Sequence, residues 1–347
     1  MTYSIAITAK LNKLLLQHLI RDDEQEDLCF ALWIPSTGGT RATAIIQDII
    51  MPEESDRDVH GNVSFNPCYL ERVIDIALKR KAGIAFLHSH PFPGWQRMSE
   101  DDVNTETSLS KTAYAVTGLP LVGLTVGSDA TWSARFWIKN KQNQNRCWAE
   151  SVRVIGEGIS ISYNDSLLPP PKPSEELLRT VSSWGMECQA DLARLHVGIV
   201  GLGSVGSIVA ENLARLGVKR ITLIDFDRIE QKNRDRVLYA YKKSIGKLKV
   251  DVIAAGLKLS STASEFEVLA IPYSIIEKPG LQAALNCDVL FSCVDRPWAR
   301  YVLNTIAYAH LIPVIDGGIS VRVKQSGKLR GADWKAHTVY PGKQCLQ

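Results

Sequence analysis

The sequence predicts an α/β chain of two domains, and three observations support this. At about 100–200 residues per domain, the 347 residues of the chain indicate two. The segment "NDSLLPPPKPSEE", residues 164–176, carries four prolines, which favour an extended linker. After it, short apolar strands alternate with helical segments, which is typical of a doubly wound parallel sheet. We therefore expect a first domain at 1–163, a linker at 164–177 and a second domain at 178–347.

The first domain is expected to contain both strands and helices. Its N-terminal stretch predicts a packed helix rather than a secretion signal, because lysines interrupt the apolar run. The residues at helical spacing are Leu11, Leu14, Leu15, His18 and Leu19. The strands "LCFALWI" and "ATAIIQDII" follow, then a helix that begins at Asn66 and Pro67 and whose end Gly83 marks. The strand "GIAFLHSH" comes next.

Composition gives no partner class. Lys and Arg number 40 against 37 Asp and Glu, for a net charge of +3, so neither a nucleic-acid surface nor a membrane-binding face is expected. The seven cysteines are odd in number and scattered, which indicates reduced thiols and a cytoplasmic protein. The uncharged run from Val197 to Ala210 is rich in glycine and too short to cross a membrane.

Two histidines and an aspartate in "HSHPFPGWQRMSEDD" raise the possibility of a metal site. His88 and His90 are two apart at a strand end, so their imidazoles project from one face. With Asp102 they would give three ligands and leave one tetrahedral position for water, the open geometry of catalytic zinc. Alternatively the histidines pair by chance and Asp102 belongs to an acidic helix start capped by Ser99. Spacing alone leaves both interpretations open.

The same stretch resembles the His-x-His-Pro…Ser-x-x-Asp signature of the JAMM (JAB/MPN-plus) metalloproteases, with a spacer one residue longer than the commonest pattern. The resemblance implies an α+β JAB/MPN domain that binds zinc through His88, His90 and Asp102 and cleaves ubiquitin-like proteins from their conjugates. It further implies that Glu26, in "EQEDLCFALW", activates the water, with Glu24 as the alternative. Ser99 would stabilise the oxyanion.

Other polar and aromatic residues of the first domain are assigned no role in this site. Glu53 and Glu54 lie in the polar stretch "MPEESDRD" and are expected in solvent. The stretch "TWSARFW" is expected to be a packed strand with Trp132 and Trp137 in the core.

A glycine-rich turn in the second domain predicts a nucleotide site. Gly201, Gly203 and Gly206 form G-x-G-x-x-G between a strand and a helix, and Asp225 ends the next strand. Such glycines allow phosphate to approach the helix N-terminus, and the aspartate can bind a ribose hydroxyl. These residues alone point to an NAD-linked dehydrogenase, or to a packing turn without a ligand.

The residues beyond this turn resemble the adenylating domain of ubiquitin-activating enzymes and of ThiF and MoeB, over roughly 178–347. Their Asn-x-x-Arg is matched by Asn233 and Arg236, their Gly-x-x-Lys by Gly246 and Lys249, and their strand-end aspartate by Asp295. The resemblance implies a Rossmann-like fold and the use of ATP and magnesium.

The resemblance also assigns roles. Arg236 and Lys249 would neutralise phosphate charge, and Asp295 would hold magnesium. Asp225 would bind the ribose and Asp227 would orient its neighbours. Arg179 matches an arginine that the family donates across a homodimer interface. A solvated basic face is the alternative for Arg236 and Lys249.

The end of the chain, "HTVYPGKQCLQ", departs from the family pattern. Relatives commonly carry a Cys-x-x-Cys zinc element here and, further on, a transfer cysteine. In this sequence the stretch contains a single cysteine, Cys345, two residues from its end. We expect a fragment or a degenerate domain that is incomplete at its C-terminus, and Cys345 receives no role. Cys287 and Cys293 are poor nucleophiles, because an apolar setting raises a thiol pKa.

Together the resemblances imply a bifunctional enzyme of a bacterial ubiquitin-like pathway. A zinc (iso)peptidase would act at a ubiquitin-like C-terminus that an adenylyltransferase activates with Mg-ATP, and a conjugating enzyme is a further possible partner. Activation and processing of a sulfur carrier for thiocarboxylate synthesis is the alternative, and an inactive scaffold is the third hypothesis. Sulfur metabolism and antiphage defence both suit such a fusion.

Overall fold

A computed structural model describes residues 1–60, 62–140, 143–172, 174–343 and 345. The chain divides into two compact units. The first comprises Met1–Ser36 and Thr40–Pro169, and the second comprises Thr37–Gly39 and Pro170–Gln347. Each unit has hydrophobic clusters of its own.

The first unit is built on a mixed sheet. In the described part of the chain this sheet has nine strands, in the order β11-β10-β1-β3-β2-β6-β7-β8-β9. The strands are β1 (Thr2–Thr8), β2 (Leu28–Thr37), β3 (Arg41–Ile50), β6 (Gly83–Ser89), β7 (Leu121–Val126), β8 (Trp132–Asn140), β9 (Asn143–Trp148), β10 (Ser151–Ile155) and β11 (Ile159–Tyr163). A separate two-stranded sheet pairs β4 (Arg57–His60) with β5 (Asn62–Phe65).

Helices cover both faces of this sheet. They are α1 (Ala9–Leu19), α2 (Pro67–Arg80) and α3 (Glu100–Thr117). Alternate residues of β2 enter different clusters: Cys29 packs with Leu15 of α1, whereas Phe30 packs with Val73 of α2 and Leu109 of α3. The central strands are therefore buried on both sides, and β6 is buried along its whole length. This holds the strand end that carries His88 rigidly.

The second unit is a doubly wound sheet, as the sequence predicts. Its order is β14-β13-β12-β15-β16-β17, and all neighbours are parallel except β16 and β17. The strands are β12 (His196–Val200), β13 (Arg220–Ile224), β14 (Glu267–Ile271), β15 (Val289–Ser292), β16 (Val314–Val323) and β17 (Leu329–Val339). The helices are α4 (Leu178–Trp184), α5 (Met186–Arg194), α6 (Ser204–Arg215), α7 (Lys249–Ser260), α8 (Lys278–Ala284) and α9 (Pro297–Ala309).

The chain order around β12 creates a crevice. From β12 the chain moves outward to β13 and β14 and then returns to β15, on the other side of β12. Helices α6 and α7 pack on one face, and α8 and α9 pack on the other. In such sheets the carboxyl ends of the two strands at the reversal, here β12 and β15, form the ligand-binding crevice.

Several sequence expectations need correction. The N-terminus begins with the strand β1, so the predicted helix starts only at Ala9, and Leu14 of its expected buried stripe is 42% exposed. Helix α2 ends at Arg80 with Lys81 in the left-handed conformation (φ 52°). Gly83 instead begins β6, because the Trp33 ring leaves no room for a side chain there.

The structure also bears on three further expectations from the sequence. Trp132 and Trp137 are buried on β8, as expected. Residues Glu175–Leu177 of the expected linker form a 3-10 turn that leads into α4. Among the described residues, no helix is both long enough and apolar enough to cross a membrane.

Candidate functional site

The buried strand β6 delivers both histidines to one point. His88 lies on β6 opposite Leu28 of β2 and Thr125 of β7, and His90 follows the strand end. Their Nε2 atoms are 3.2 Å apart. The two rings therefore meet as expected from the spacing, although β6 ends at Ser89 and does not continue through His90.

The first turn of α3 brings Asp102 to the same point. Its Oδ1 lies 3.2 Å from Nε2 of His88, and its Oδ2 lies 3.4 Å from Nε2 of His90. Ser99 is the N-cap of α3: its hydroxyl accepts from the Asp102 amide at 3.1 Å, and its own amide donates to Asp102 Oδ2 at 2.7 Å. Asp102 therefore belongs both to a capped acidic helix start and to the histidine cluster, so the two interpretations of the sequence are compatible.

These three side chains fit a zinc ion. One ligand atom from each of His88, His90 and Asp102 lies within 4.8 Å of the others. Tetrahedral ligands at about 2.0–2.1 Å from zinc are separated by about 3.3 Å, which matches the 3.2 Å between the two Nε2 atoms. Each imidazole lies at a similar distance from a different oxygen of Asp102, 3.2 Å for His88 and 3.4 Å for His90. Two imidazole nitrogens that face each other and a carboxylate are a donor set for a shared cation.

Burial and charge tune the cluster. Burial lowers the pKa of His88, against the raising effect of Asp102, and so favours the neutral imidazole that a metal requires. Burial opposes the charge of Asp102, but hydrogen bonds from both histidines outweigh it and hold its pKa well below the usual range. For His90 the same carboxylate outweighs burial, so the pKa is raised.

Glu26 is the carboxylate that the structure brings to this cluster. Its Oε1 lies 3.8 Å from Nε2 of His90, and burial raises its pKa although His90 acts in the opposite direction. A raised pKa suits a general base that works near neutral pH. Glu24 is exposed and has a left-handed backbone (φ 58°). The geometry favours Glu26 over Glu24.

Asp27 fixes the segment that carries Glu26. Its amide donates to Ser89 Oγ at 2.9 Å, and the Ser89 amide donates to its carbonyl at 3.0 Å. Its carboxylate accepts from Arg57 Nε at 2.5 Å and Nη2 at 2.9 Å. Because Ser89 separates the two histidines, this exchange of hydrogen bonds ties Glu26 to the cluster.

The glycine turn of the second unit lies at the β12/β15 crevice. Gly201 has φ 89°, and a Cβ there would meet the Cys293 carbonyl at 2.6 Å. A Cβ on Gly206 would lie 1.9 Å from the Gly201 carbonyl oxygen, whereas one on Gly203 meets nothing within 4 Å. Gly203 is the N-cap of α6. Two of the glycines are therefore required for packing, and the third leaves space in front of a helix N-terminus, where phosphate binds favourably.

Asp225, Asp227 and Lys249 form a polar group beside this turn. Asp225 accepts from the Leu202 amide at 2.6 Å and from the Asp227 amide at 2.7 Å. Burial raises the pKa of Asp225, against those hydrogen bonds and Lys249. Lys249 Nζ lies 2.7 Å from Asp227 Oδ2 and 3.9 Å from Asp225 Oδ2. A cation is thus placed at the crevice, and it is 8% exposed.

Four other residues predicted for the nucleotide site lie outside that group. Asn233 is buried and accepts from the Glu230 amide as part of a capping box. Arg236 donates to the Lys232 carbonyl at 2.6 Å and to Asp235 at 2.8 Å. Asp295 is exposed in the loop after β15, and Arg179 is exposed on α4.

The cysteines divide by burial. Burial raises the pKa of Cys293 to about 12, and Cys287 is fully buried. Both are poor nucleophiles near neutral pH, as expected. Cys68 and Cys188 are exposed.

The sequence reasoning missed the residues that support the first site. Thr125, Arg135 and Glu106 are buried behind His88, and Asp27 lies beside Glu26. Two signals were available: the charge of Arg135 between aromatic residues in "TWSARFW", and Gly123 inside an apolar strand. Neither signal shows which residues contact Arg135 or Gly123, because that depends on how the strands pair.

Comparison with known proteins identifies the second unit. Residues 175–344 match the ThiF family. Adenylyltransferase and sulfurtransferase MOCS3 of Sus scrofa is 32% identical over 166 residues, which cover 44% of this chain and 36% of that protein. Ubiquitin-like modifier-activating enzyme 5 of Xenopus laevis is 33% identical over 168 residues, which cover 45% of this chain and 40% of that protein. The chain spans less than half the length of these curated relatives.

Solved structures give a weaker likeness. E. coli MccB with MccA-N7isoASN has a TM-score of 0.42 at 25% identity and covers 50% of each chain. E. coli MccB with ATP has a TM-score of 0.42 at 24% identity and covers 50% of this chain and 52% of that one. The family match nevertheless shows that the C-terminal half is a ThiF-type domain with a Rossmann-like fold. The glycine turn alone pointed to a dehydrogenase, whereas the family matched is ThiF.

Proposed function

We propose that the second unit adenylates the C-terminal carboxylate of a ubiquitin-like or sulfur-carrier protein. The observation that carries this proposal is the ThiF match over residues 175–344, in which Lys249 lies beside Asp225 at the crevice. The relatives named above include a ubiquitin-like modifier-activating enzyme and an adenylyltransferase. Both act, by name, in activation chemistry of this kind.

Different residues of the crevice are assigned to different parts of the adenylation reaction. A carboxylate oxygen of the protein tail attacks the α-phosphorus of ATP, and the bond to the β-phosphate oxygen breaks to release pyrophosphate. The turn Gly201–Gly206 cradles phosphate, and Asp225 accepts from the ribose. Lys249 neutralises charge that develops on the phosphates. To reach the phosphates, Lys249 gives up its ion pair with Asp227, whose Oδ2 lies 2.7 Å from Lys249 Nζ.

Three further residues complete the proposal. Asp295, exposed after β15, supplies an oxygen ligand suited to magnesium. Arg236 reaches the phosphates from the surface once it leaves Asp235. Arg179 serves the site of a second subunit in a homodimer, which fits its exposure on α4.

Pyrophosphate exchange tests the adenylation. The chain is assayed with Mg-ATP and a set of ubiquitin-like and sulfur-carrier proteins, after direct measurement of ATP binding. Lys249→Met should abolish exchange, whereas Lys258→Met, an exposed lysine in the last turn of the same helix, should not. If the wild-type chain binds no Mg-ATP at millimolar concentration, the proposal is wrong.

We propose in addition that the first unit is a JAMM-type zinc metallopeptidase. The supporting observation is the cluster of His88, His90 and Asp102, whose ligand atoms lie within 4.8 Å, with Glu26 Oε1 3.8 Å from His90. Zinc bound there supplies a Lewis acid that activates water and polarises a carbonyl. Glu26 takes a proton from the attacking water and returns it to the leaving nitrogen. Ser99 lies at the edge of the site, where its hydroxyl can face the oxyanion.

The two activities would meet on one substrate. Peptide cleavage after a ubiquitin-like C-terminus exposes the carboxylate that adenylation consumes, so one protein tail serves both sites. A cysteine or lysine, with a conjugating enzyme as acceptor, then attacks the acyl carbon of the adenylate, or sulfide attacks it to give a thiocarboxylate. In each case the acyl–phosphate bond breaks and AMP leaves. Mass spectrometry of the activated tail distinguishes these products. A scaffold without either activity is disfavoured by the zinc-compatible distances and by the buried Lys249.

Cleavage of fusion proteins tests the peptidase. Ubiquitin-like proteins that carry a C-terminal extension are incubated with the zinc-loaded chain, and release of the extension is followed by mass spectrometry. The chain should cleave at least one fusion with the tail that supports pyrophosphate exchange. Cleavage that persists without His88 and His90 would contradict the assignment.

A further inference from the structure

A fully buried ion pair lies one helical turn beyond Asp102. Glu106 of α3 and Arg135 of β8 are both 0% exposed. Arg135 Nε donates to Glu106 Oε2 at 2.9 Å, and its Nη2 bonds the other oxygen of the same carboxylate. Trp137 Nε1 also donates to Glu106, at 2.6 Å. The carboxylate is therefore fully engaged within the interior of the first unit.

The strand β7 has a glycine that makes room for this pair. Gly123 lies opposite Arg135 in the sheet, and a Cβ there would meet Glu106 Oε2 at 2.4 Å and Arg135 Nε at 2.6 Å. Glycine inside a strand weakens the strand, so its presence usually marks a close approach. Here the close approach is that of the two charged groups.

The ion pair is connected to the candidate metal cluster in two ways, through helix α3 and through Thr125. Glu106 and Asp102 are four residues apart on α3, so they share one face of the helix, and the pair fixes the depth at which that face lies. Arg135 Nη1 also donates to Thr125 Oγ1 at 2.5 Å. That oxygen lies 3.3 Å from Nε2 of His88, the ring atom that would bind zinc, so Thr125 packs against the His88 ring at that atom.

His88 lacks the support that metal-binding histidines usually have. Such a histidine commonly donates its second ring nitrogen to a carboxylate or carbonyl, which orients the ring. In the described part of the chain, Nδ1 of His88 is buried and has no hydrogen-bond partner. Its ring is held by its neighbours, among them Phe86, whose ring centroid is 5.5 Å away, and Thr125.

We propose that Glu106 and Arg135, acting through Thr125 and α3, are positioning residues for the zinc site. Burying an ion pair removes two charges from water, so apolar or neutral replacements of similar shape often leave stability unchanged or raise it. A contribution to stability therefore does not explain the pair. Precise placement of His88 and Asp102 does explain it, and also explains the glycine opposite. This inference rests on the proposed zinc peptidase.

Zinc affinity, measured by competition with a chelator, tests the inference. The variant Glu106→Gln/Arg135→Met replaces both charges together, so no unpaired charge remains, and the glutamine amide can still accept from Trp137. We expect zinc to bind about 10–100-fold more weakly. The thermal midpoint of the zinc-free variant should stay equal or rise.

A second disrupting variant and a control variant ensure that the test does not depend on the Glu106→Gln/Arg135→Met replacement alone. Gly123→Ala keeps both charges and displaces the pair through the added methyl group, so zinc should again bind at least tenfold more weakly. Ser110→Ala is the matched control, because Ser110 is buried on the same helix and its hydroxyl donates to the Thr107 carbonyl of that helix. It should leave zinc affinity unchanged.

The outcomes separate this inference from the proposed function. If the wild-type chain binds zinc and a folded Glu106→Gln/Arg135→Met or Gly123→Ala variant binds it equally well, the positioning role is wrong and the metal site stands. If the wild-type chain itself binds no zinc, the metal site is wrong and the positioning role is lost with it. Weaker binding by both variants, with Ser110→Ala unchanged, supports the inference.

Discussion

Nε2 of His88 and Nε2 of His90 lie 3.2 Å apart, close to the separation of about 3.3 Å that tetrahedral zinc imposes on its ligands. The geometry arises because β6 is buried along its length and ends at Ser89, between the two rings. Asp102 approaches from the first turn of α3, where Ser99 holds it by a capping box. The two histidines are thus placed by the end of β6, and Asp102 is placed by the first turn of α3.

Replacement of Glu26 should separate zinc binding from cleavage. Glu26→Gln removes the proton acceptor but no proposed ligand, so cleavage of a ubiquitin-like fusion should fall about 10²–10⁴-fold with zinc content unchanged. Glu24→Gln is the control, since Glu24 is exposed. Cleavage lost in the Glu24 variant and kept in the Glu26 variant would reverse the assignment.

Two of the three glycines of the nucleotide turn, Gly203 and Gly206, should respond differently to replacement by alanine. At Gly206 a Cβ would lie 1.9 Å from the Gly201 carbonyl oxygen, so Gly206→Ala should destabilise the protein by about 1–3 kcal/mol or more. At Gly203 a Cβ meets nothing within 4 Å, so Gly203→Ala should fold normally but crowd the phosphate space and weaken ATP binding. Urea unfolding and ATP titration measure the two effects. Normal ATP binding by Gly203→Ala would show that phosphate does not approach this turn.

Asp27 should make the stability of the first unit sensitive to acid. Burial opposes its charge, but hydrogen bonds from Arg57 and from the Leu28 amide outweigh burial and lower its pKa. A carboxyl with a lowered folded pKa stabilises fully above its unfolded pKa of about 4, and this stabilisation is lost as pH falls toward the folded pKa. Asp27→Asn should cost about 1–3 kcal/mol at pH 7.

Urea unfolding at several pH values checks this dependence. The difference in unfolding free energy between wild type and Asp27→Asn should shrink as pH falls below about 4. Asp75→Asn, which removes an exposed carboxylate paired with Lys79, should have little effect at any pH. A difference for Asp27 that does not depend on pH would mean that its charge is not the source of the stabilisation.

Local patterns allowed the sequence to predict that His88, His90 and Asp102 lie close together. The His-x-His spacing, the Ser99 cap and the glycine turn each lie within a few residues of a strand or helix end, where periodicity and capping rules apply. The doubly wound sheet of the second unit was predictable for the same reason, since its strands and helices alternate in the sequence.

Strand register hid the rest of the first site from the sequence. Thr125 contacts His88, and Gly123 faces Arg135, only because β6, β7 and β8 pair in one register. The strand β1 was missed because Thr2–Thr8 is short and adjoins a stronger helical pattern. The resemblance assigns Arg236 to the phosphates together with Lys249, whereas in the structure its guanidinium donates to the Lys232 carbonyl and to Asp235.

Metal analysis of the purified chain, beside the His88→Ala/His90→Ala variant, tests the central claim about the first unit most directly. We expect about one zinc per wild-type chain and none in the variant, while Mg-ATP binding is the same in both. That result would establish a metal site that works independently of the ThiF-type domain. A wild-type chain that holds no zinc, even after zinc is supplied, would contradict the peptidase and leave adenylation as the candidate activity.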